Sequence, residues 1–170
     1  MALTAKMTVG VTATQTATLD WGIASAPLTK AFSVSLASGT GAGQADRAFT
    51  DTRTLSASAT EDLDLAGVLT DAFGATLTFA KVKGIYIAAA SGNTNNVIVG
   101  NATTNGFISW VGGAAHTLTV RPGGVLALFC GAADTNGYAV TAGTADLLKI
   151  ANSAGTTSVT YDIAIIGTSA

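Results

Sequence analysis

The sequence predicts an all-β domain, a jelly-roll-like antiparallel β-sandwich, and three observations carry that expectation. Apolar and polar residues alternate with period two in one stretch after another, as in Phe32-Ser33-Val34-Ser35-Leu36. That is the pattern of a strand with one buried face. Turn-forming residues separate these stretches at the short spacings of a sandwich or barrel. Threonine, present in 27 copies among 170 residues, supplies a β-branched side chain that suits a pleated surface and keeps it wettable without charge.

The elements follow in order. Residues 1–30 stand apart. From Met7 to Leu19, threonine alternates with small or apolar residues, without the bulk that anchors a core strand. This segment reads as an edge strand or as an extended arm that pairs with another chain. Trp21 and Pro27 follow, and the sandwich domain is placed over residues 31–170. After the Phe32 strand, Gly39-Thr40-Gly41-Ala42-Gly43 is a flexible turn. In Thr60-Glu61-Asp62-Leu63-Asp64-Leu65, Thr60 can cap and the acids favour a helix N-terminus, so one short helical or 3₁₀ turn is expected between about residues 62 and 72.

Leu77 and Phe79 alternate with threonines. In Lys81-Val82-Lys83-Gly84-Ile85-Tyr86-Ile87 the alternation changes phase, which predicts a β-bulge at Gly84. Gly92–Asn96 separates Ile85–Ile87 from Val97–Val99. Leu118 and Val120 mark a further strand, and Arg121-Pro122-Gly123-Gly124 launches the apolar run to Cys130. Asn152–Gly155 lies between Leu147–Ala151 and Ser158–Ile166, which reads as a closing hairpin. The nearly continuous apolar runs at 125–130 and 163–166 are expected to be covered on both faces, inside the sandwich or by a neighbouring subunit.

Composition narrows the function classes. Only 11% of residues are charged, against roughly 25% in a typical soluble domain. Disorder is disfavoured, because it needs high charge and low apolarity. The mean hydropathy of +0.47 comes from alanine, glycine, valine and isoleucine. No run reaches the ~18 apolar residues of a membrane span. The first residues lack the apolar stretch of a signal peptide. Net charge −2 with eight Lys plus Arg argues against nucleic acid as a partner. A surface poor in charge and rich in small polar residues suits burial against another protein.

Residues that could carry chemistry are few. The single cysteine, Cys130, cannot form an internal disulfide or a zinc cage and reads as a buried residue at a strand end. The lone His116 belongs to a polar loop. The segment Gly39–Gln44 lacks the Gly-Lys-Ser/Thr ending of a phosphate loop. Asp46, Asp51, Glu61, Asp62 and Asp64 cluster in sequence without EF-hand spacing, and Arg47 and Arg53 lie close enough to pair with them. Tyr86, Trp110 and Tyr138 could stack on a sugar, although scattered packing explains them as well. No catalytic, cofactor-binding or metal-binding residue is assigned. The interface candidates are Met7, Val9, Val11, Leu19, Trp21, Trp110 and Tyr138.

Three stretches point further: Leu36–Asp46, then Leu63–Gly67 with Phe73–Phe79, and finally Gly137–Asn152; Tyr161–Gly167 closes the chain. Together, over about residues 31–167, they resemble small structural proteins of tailed bacteriophages, the β-sandwich components of the virion. The resemblance implies a virion protein without enzymatic residues. The leading expectation is a capsid decoration (cement) protein. It would be trimeric, made in the host cytoplasm and clamped on the major capsid protein, with residues 1–30 reaching neighbouring subunits. No nucleic acid or membrane partner is expected. The alternative is a receptor- or glycan-binding module of a tail or head fibre, presenting Trp110 or Tyr138 on an exposed platform.

Overall fold

A computed structural model describes residues 2–170. The strands, in chain order, are β1 (Ala5–Leu19), β2 (Gly22–Ser38), β3 (Gln44–Ala45), β4 (Arg47–Leu55), β5 (Thr60–Asp64) and β6 (Lys81–Ala89). They continue with β7 (Val97–Gly100), β8 (Thr117–Val120), β9 (Val125–Phe129), β10 (Tyr138–Ala139), β11 (Leu147–Asn152) and β12 (Val159–Thr168). No helix occurs among the described residues.

Nine strands build the sandwich. One sheet runs β4-β12-β6-β9, with the short β10 beside β9 along the same edge of β6; the other runs β5-β11-β7-β8. Every pairing in both is antiparallel. The pairs nest: β4 with β12, β5 with β11, β6 with β9, β7 with β8. A long hairpin rolled up in this way is a jelly roll, so the expected fold class stands. Inward-facing residues of the two sheets make one core. Phe49, Ile85, Ile87, Tyr161, Ile163 and Ile165 come from the first sheet, and Leu63, Val97, Val99, Val120, Leu148 and Ile150 from the second.

Four local expectations are corrected. First, the acidic segment after Thr60 is strand β5 and then a turn. Leu63 and Leu65 are both buried, at 2% and 0% exposure, and two residues apart they reach one core only in extended chain. This burial overrides the capping signal, and Asp64 instead accepts the amide of Ala66 in a tight turn.

Second, Asn152–Gly155 does not close a hairpin, because β11 and β12 belong to different sheets. The buried Asn152 holds this corner. Its amide donates to the carbonyls of Ser56 (3.0 Å) and Thr157 (2.7 Å), and its carbonyl oxygen accepts from Asn95 (3.0 Å).

Third, the bulge is centred on Lys83 and not on Gly84. Ile166 faces Gly84 while Gly167 faces Val82, which leaves Lys83 as the extra residue. Its buried amine donates to the Asp134 carbonyl at 2.7 Å.

Fourth, of the two readings of the N-terminal segment, β1 is an edge strand and no extended arm ends near residue 30. β1 pairs with β2 along its whole length, from Ala5–Leu36 to Leu19–Gly22. The two-residue turn Asp20–Trp21 joins them, and Gly22 takes the positive φ (147°) that follows it. A two-residue spacing signals a hairpin when an Asn-Gly-type pair fills it, and Asp20-Trp21 is no such pair. β2 then enters the body, where β3 pairs with its last residues in parallel.

Candidate interaction surface

The ribbon β1–β2 is anchored only at its base. Val34, Leu36 and Ala45 are buried there, packed with Leu3, Ala5, Met7, Phe129 and Ile166. Phe32 stacks on Phe129, with ring centroids 5.9 Å apart and planes 11° off parallel. Gly84 makes the close approach possible: a Cβ at that position would run into the Met7 sulfur. The base therefore lies on the outer face of the first sheet, at the β6–β9–β12 end. Of the apolar run 125–130, this covers Phe129, while Val125 stays 56% exposed.

Beyond the base, every residue from Thr8 to Ser33 is exposed. At about 3.4 Å per residue, β1 is roughly 50 Å long, and most of it stands clear of the body. Residues paired across an antiparallel ribbon share a face. One face carries Val9, Val11, Ala13, Ala17 and Leu19 on β1 with Ala24, Ala26, Leu28 and Phe32 on β2, interrupted only by Gln15 and Lys30. The other carries Thr8, Thr12, Thr14, Thr16 and Thr18 opposite Ser33, Thr29, Pro27, Ser25 and Ile23. Trp21, at the tip, is 100% exposed.

Where the ribbon leaves the sheet, a cleft of about 620 Å³ opens between them. Met7, Val9 and Gly10 form one wall, and Tyr86, Val125 and Ala127 form the other. The same sheet turns polar toward β4, where Thr52 donates to Asp162 (2.6 Å) and the Thr54 and Thr160 hydroxyls share a hydrogen bond (2.9 Å).

The sequence-selected residues divide in two. Met7, Val9, Val11, Leu19 and Trp21 all lie on the ribbon, the first four on its apolar face. Trp110 and Tyr138 do not join them; both are half-buried against the sandwich core. The Trp110 indole N–H donates to the Phe107 carbonyl at 2.8 Å. Tyr86 lies on the outer face of the first sheet, opposite in direction to its neighbours Ile85 and Ile87, so it shares no platform with Tyr138, whose pairing partner Val82 faces the core. The interface candidates do not include Phe32, Leu28 and Ala24 on β2, although their alternation with serine and threonine matches that of β1.

Several ionisable side chains pair with one another at the sheet edges and in the core. Arg53 pairs with Asp51 (2.8 Å) and Glu61 (2.6 Å), and the buried Tyr161 hydroxyl donates to Glu61. Burial, aided by the neighbouring Glu61 carboxylate, raises the Tyr161 phenol above its ordinary range. The Arg47–Asp46 pair (3.2 Å) sits where Asp46 also accepts from the Ser169 amide and hydroxyl. Burial, with Asp134 nearby, pushes the Cys130 thiol up to about 11, which keeps it protonated and unreactive at neutral pH. Comparison with known proteins returns no matching family model, no similar curated protein and no similar solved structure.

Proposed function

We propose that this chain is a structural protein of a tailed-phage virion, a decoration protein that stabilises the head by burying surface between subunits. The phage setting comes from the sequence resemblance. The observation that carries the mechanism is the ribbon: a two-stranded hairpin with one apolar and one threonine-lined face, uncovered over most of its length. An isolated two-stranded hairpin is marginal in water, and an apolar strip of this size on a folded body marks a surface for another molecule. The jelly-roll body is a rigid platform for it. Once covered, each Å² of apolar surface contributes about 25 cal/mol before ordering costs. Contacts that are individually modest add up when repeated around a shell.

The test uses phage heads stripped of their surface protein. The purified chain is expected to co-sediment with them in hundreds of copies and to raise the temperature at which they release DNA. A second form lacks residues 9–32, with Thr8 and Ser33, which face each other across the ribbon, joined by an Asn-Gly turn. It should keep its fold and lose most of its occupancy. Absence from heads, or a handful of copies at the tail, would overturn the reading.

A further inference from the structure

We propose that the apolar face of the ribbon is an interface between two copies of this chain, lying face to face and antiparallel about a two-fold axis beside Gln15 and Ala26. The proposal builds on the reading of the ribbon as an assembly element and names its partner. The polar residues of this surface select the arrangement. Between Val9 and Phe32 the apolar face holds just two polar side chains, Gln15 and Lys30, and the tip adds Asp20. Lys30 and Asp20 are the sole charges of that stretch, opposite in sign, and neither forms an ion pair among the described residues.

Lys30 sits opposite Val11, and Asp20 follows Leu19. The level midway between them along the ribbon is that of Gln15 and Thr16. One two-fold operation there brings Lys30 of each copy to Asp20 and Trp21 of the other, joining a carboxylate and an indole face to the cation. The same operation places Gln15 on Gln15, and two amides can donate to and accept from each other. A single symmetry element thus satisfies every polar group on an otherwise apolar face. Such an isologous contact closes on itself.

Size and packing agree. The overlap from Val11 to the tip is about 30 Å long and about 10 Å wide, about 300 Å² on each copy, so two copies would together remove roughly 600 Å² from water. That is below the size of stable specific interfaces, which fits a weak, reversible dimer that gains strength through repetition on a shell. Ala13, Ala17, Ala24 and Ala26 occupy the middle of the face, so the ribbons can approach closely.

Sedimentation equilibrium of the full chain should show a concentration-dependent dimer. Lys30→Glu or Asp20→Lys should each weaken it about tenfold, and combining them should restore it. In a Cys130→Ser background, Gln15→Cys should oxidise to a covalent dimer, whereas Thr16→Cys, on the opposite face, should not. A chain that stays monomeric, a trimer without the residue-15 crosslink, or a charge swap that fails to rescue would each overturn the two-fold contact. A monomer that still coats heads would overturn it while leaving the decoration role intact, with the capsid protein as the ribbon's partner.

Discussion

Replacing Asn152 by alanine tests how the chain is steered from one sheet to the other. Asn152 is 6% exposed and makes three short side-chain hydrogen bonds, to Ser56, Thr157 and Asn95. The partners of these three bonds keep other contacts. The Ser56 carbonyl still accepts from Ala59, and Asn95 still donates to Ala154 and Thr157. The loss is therefore the net worth of three bonds, about 1 kcal/mol each, with a small addition for the half-buried Ala154 amide, whose 3.3 Å bond to the Asn152 oxygen is also removed. A fall of about 3 kcal/mol corresponds to roughly 6–12 °C in Tm for a chain of this size. In urea the midpoint should move down by about 1 M with an unchanged slope. Asn152→Asp should do worse, because it aims a buried charge at the Ser56 and Thr157 carbonyls. The double replacement Asn95→Ala with Asn152→Ala should cost less than the two single losses together, since the residues share one network. A midpoint within a few tenths of a molar of wild type, or strict additivity, would refute the role of this corner.

Gly167→Ala should be among the most disruptive single-methyl changes, because the new Cβ would collide with the Lys81 carbonyl oxygen and the Phe79 ring; loss of about 3 kcal/mol or more by urea titration is expected. Tyr161 keeps its proton in the folded state at pH values where the unfolded chain releases it. Stability is then full below about pH 10 and falls as pH rises beyond it. Tyr161→Phe should remove that alkaline dependence while costing about 1–2 kcal/mol at neutral pH, read from urea midpoints at pH 7 and 10.5. Cys130, 8% exposed with its thiol pushed up to about 11, should resist iodoacetamide at pH 7.5 in the native chain and react promptly in urea, as followed by mass spectrometry.

How much was legible in the sequence differs from segment to segment. Period-two alternation marked strands in Phe32–Leu36 and Leu118–Val120, although Phe32 and Leu118 themselves stay exposed, and in Val159–Ile165, where one side is buried residue by residue. The phase change around Gly84 announced a bulge for the same reason. The ribbon was half visible. Its threonine alternation on β1 left an edge strand or a partner-seeking arm open; β1 is the edge strand of a hairpin with β2, and the hairpin stayed hidden because the Asp20–Trp21 turn carries no Asn-Gly or Gly-Gly signature. Trp110 and Tyr138 were legible as aromatics and not as core neighbours, because exposure depends on what the loops fold over.

The sequence alone sufficed to show an all-β chain poor in charge, apart from the helical turn it suggested where β5 stands. Those properties depend on local preferences and on the kinds of side chain present. The tertiary structure alone decided which strands pair: β11 and β12 in separate sheets, β4 beside β12, the ribbon standing off the body with its apolar face open. Alternation tells each strand which side to bury but not against what. That choice belongs to contacts between residues far apart in the chain, such as Asn152 with Ser56 and Tyr161 with Glu61.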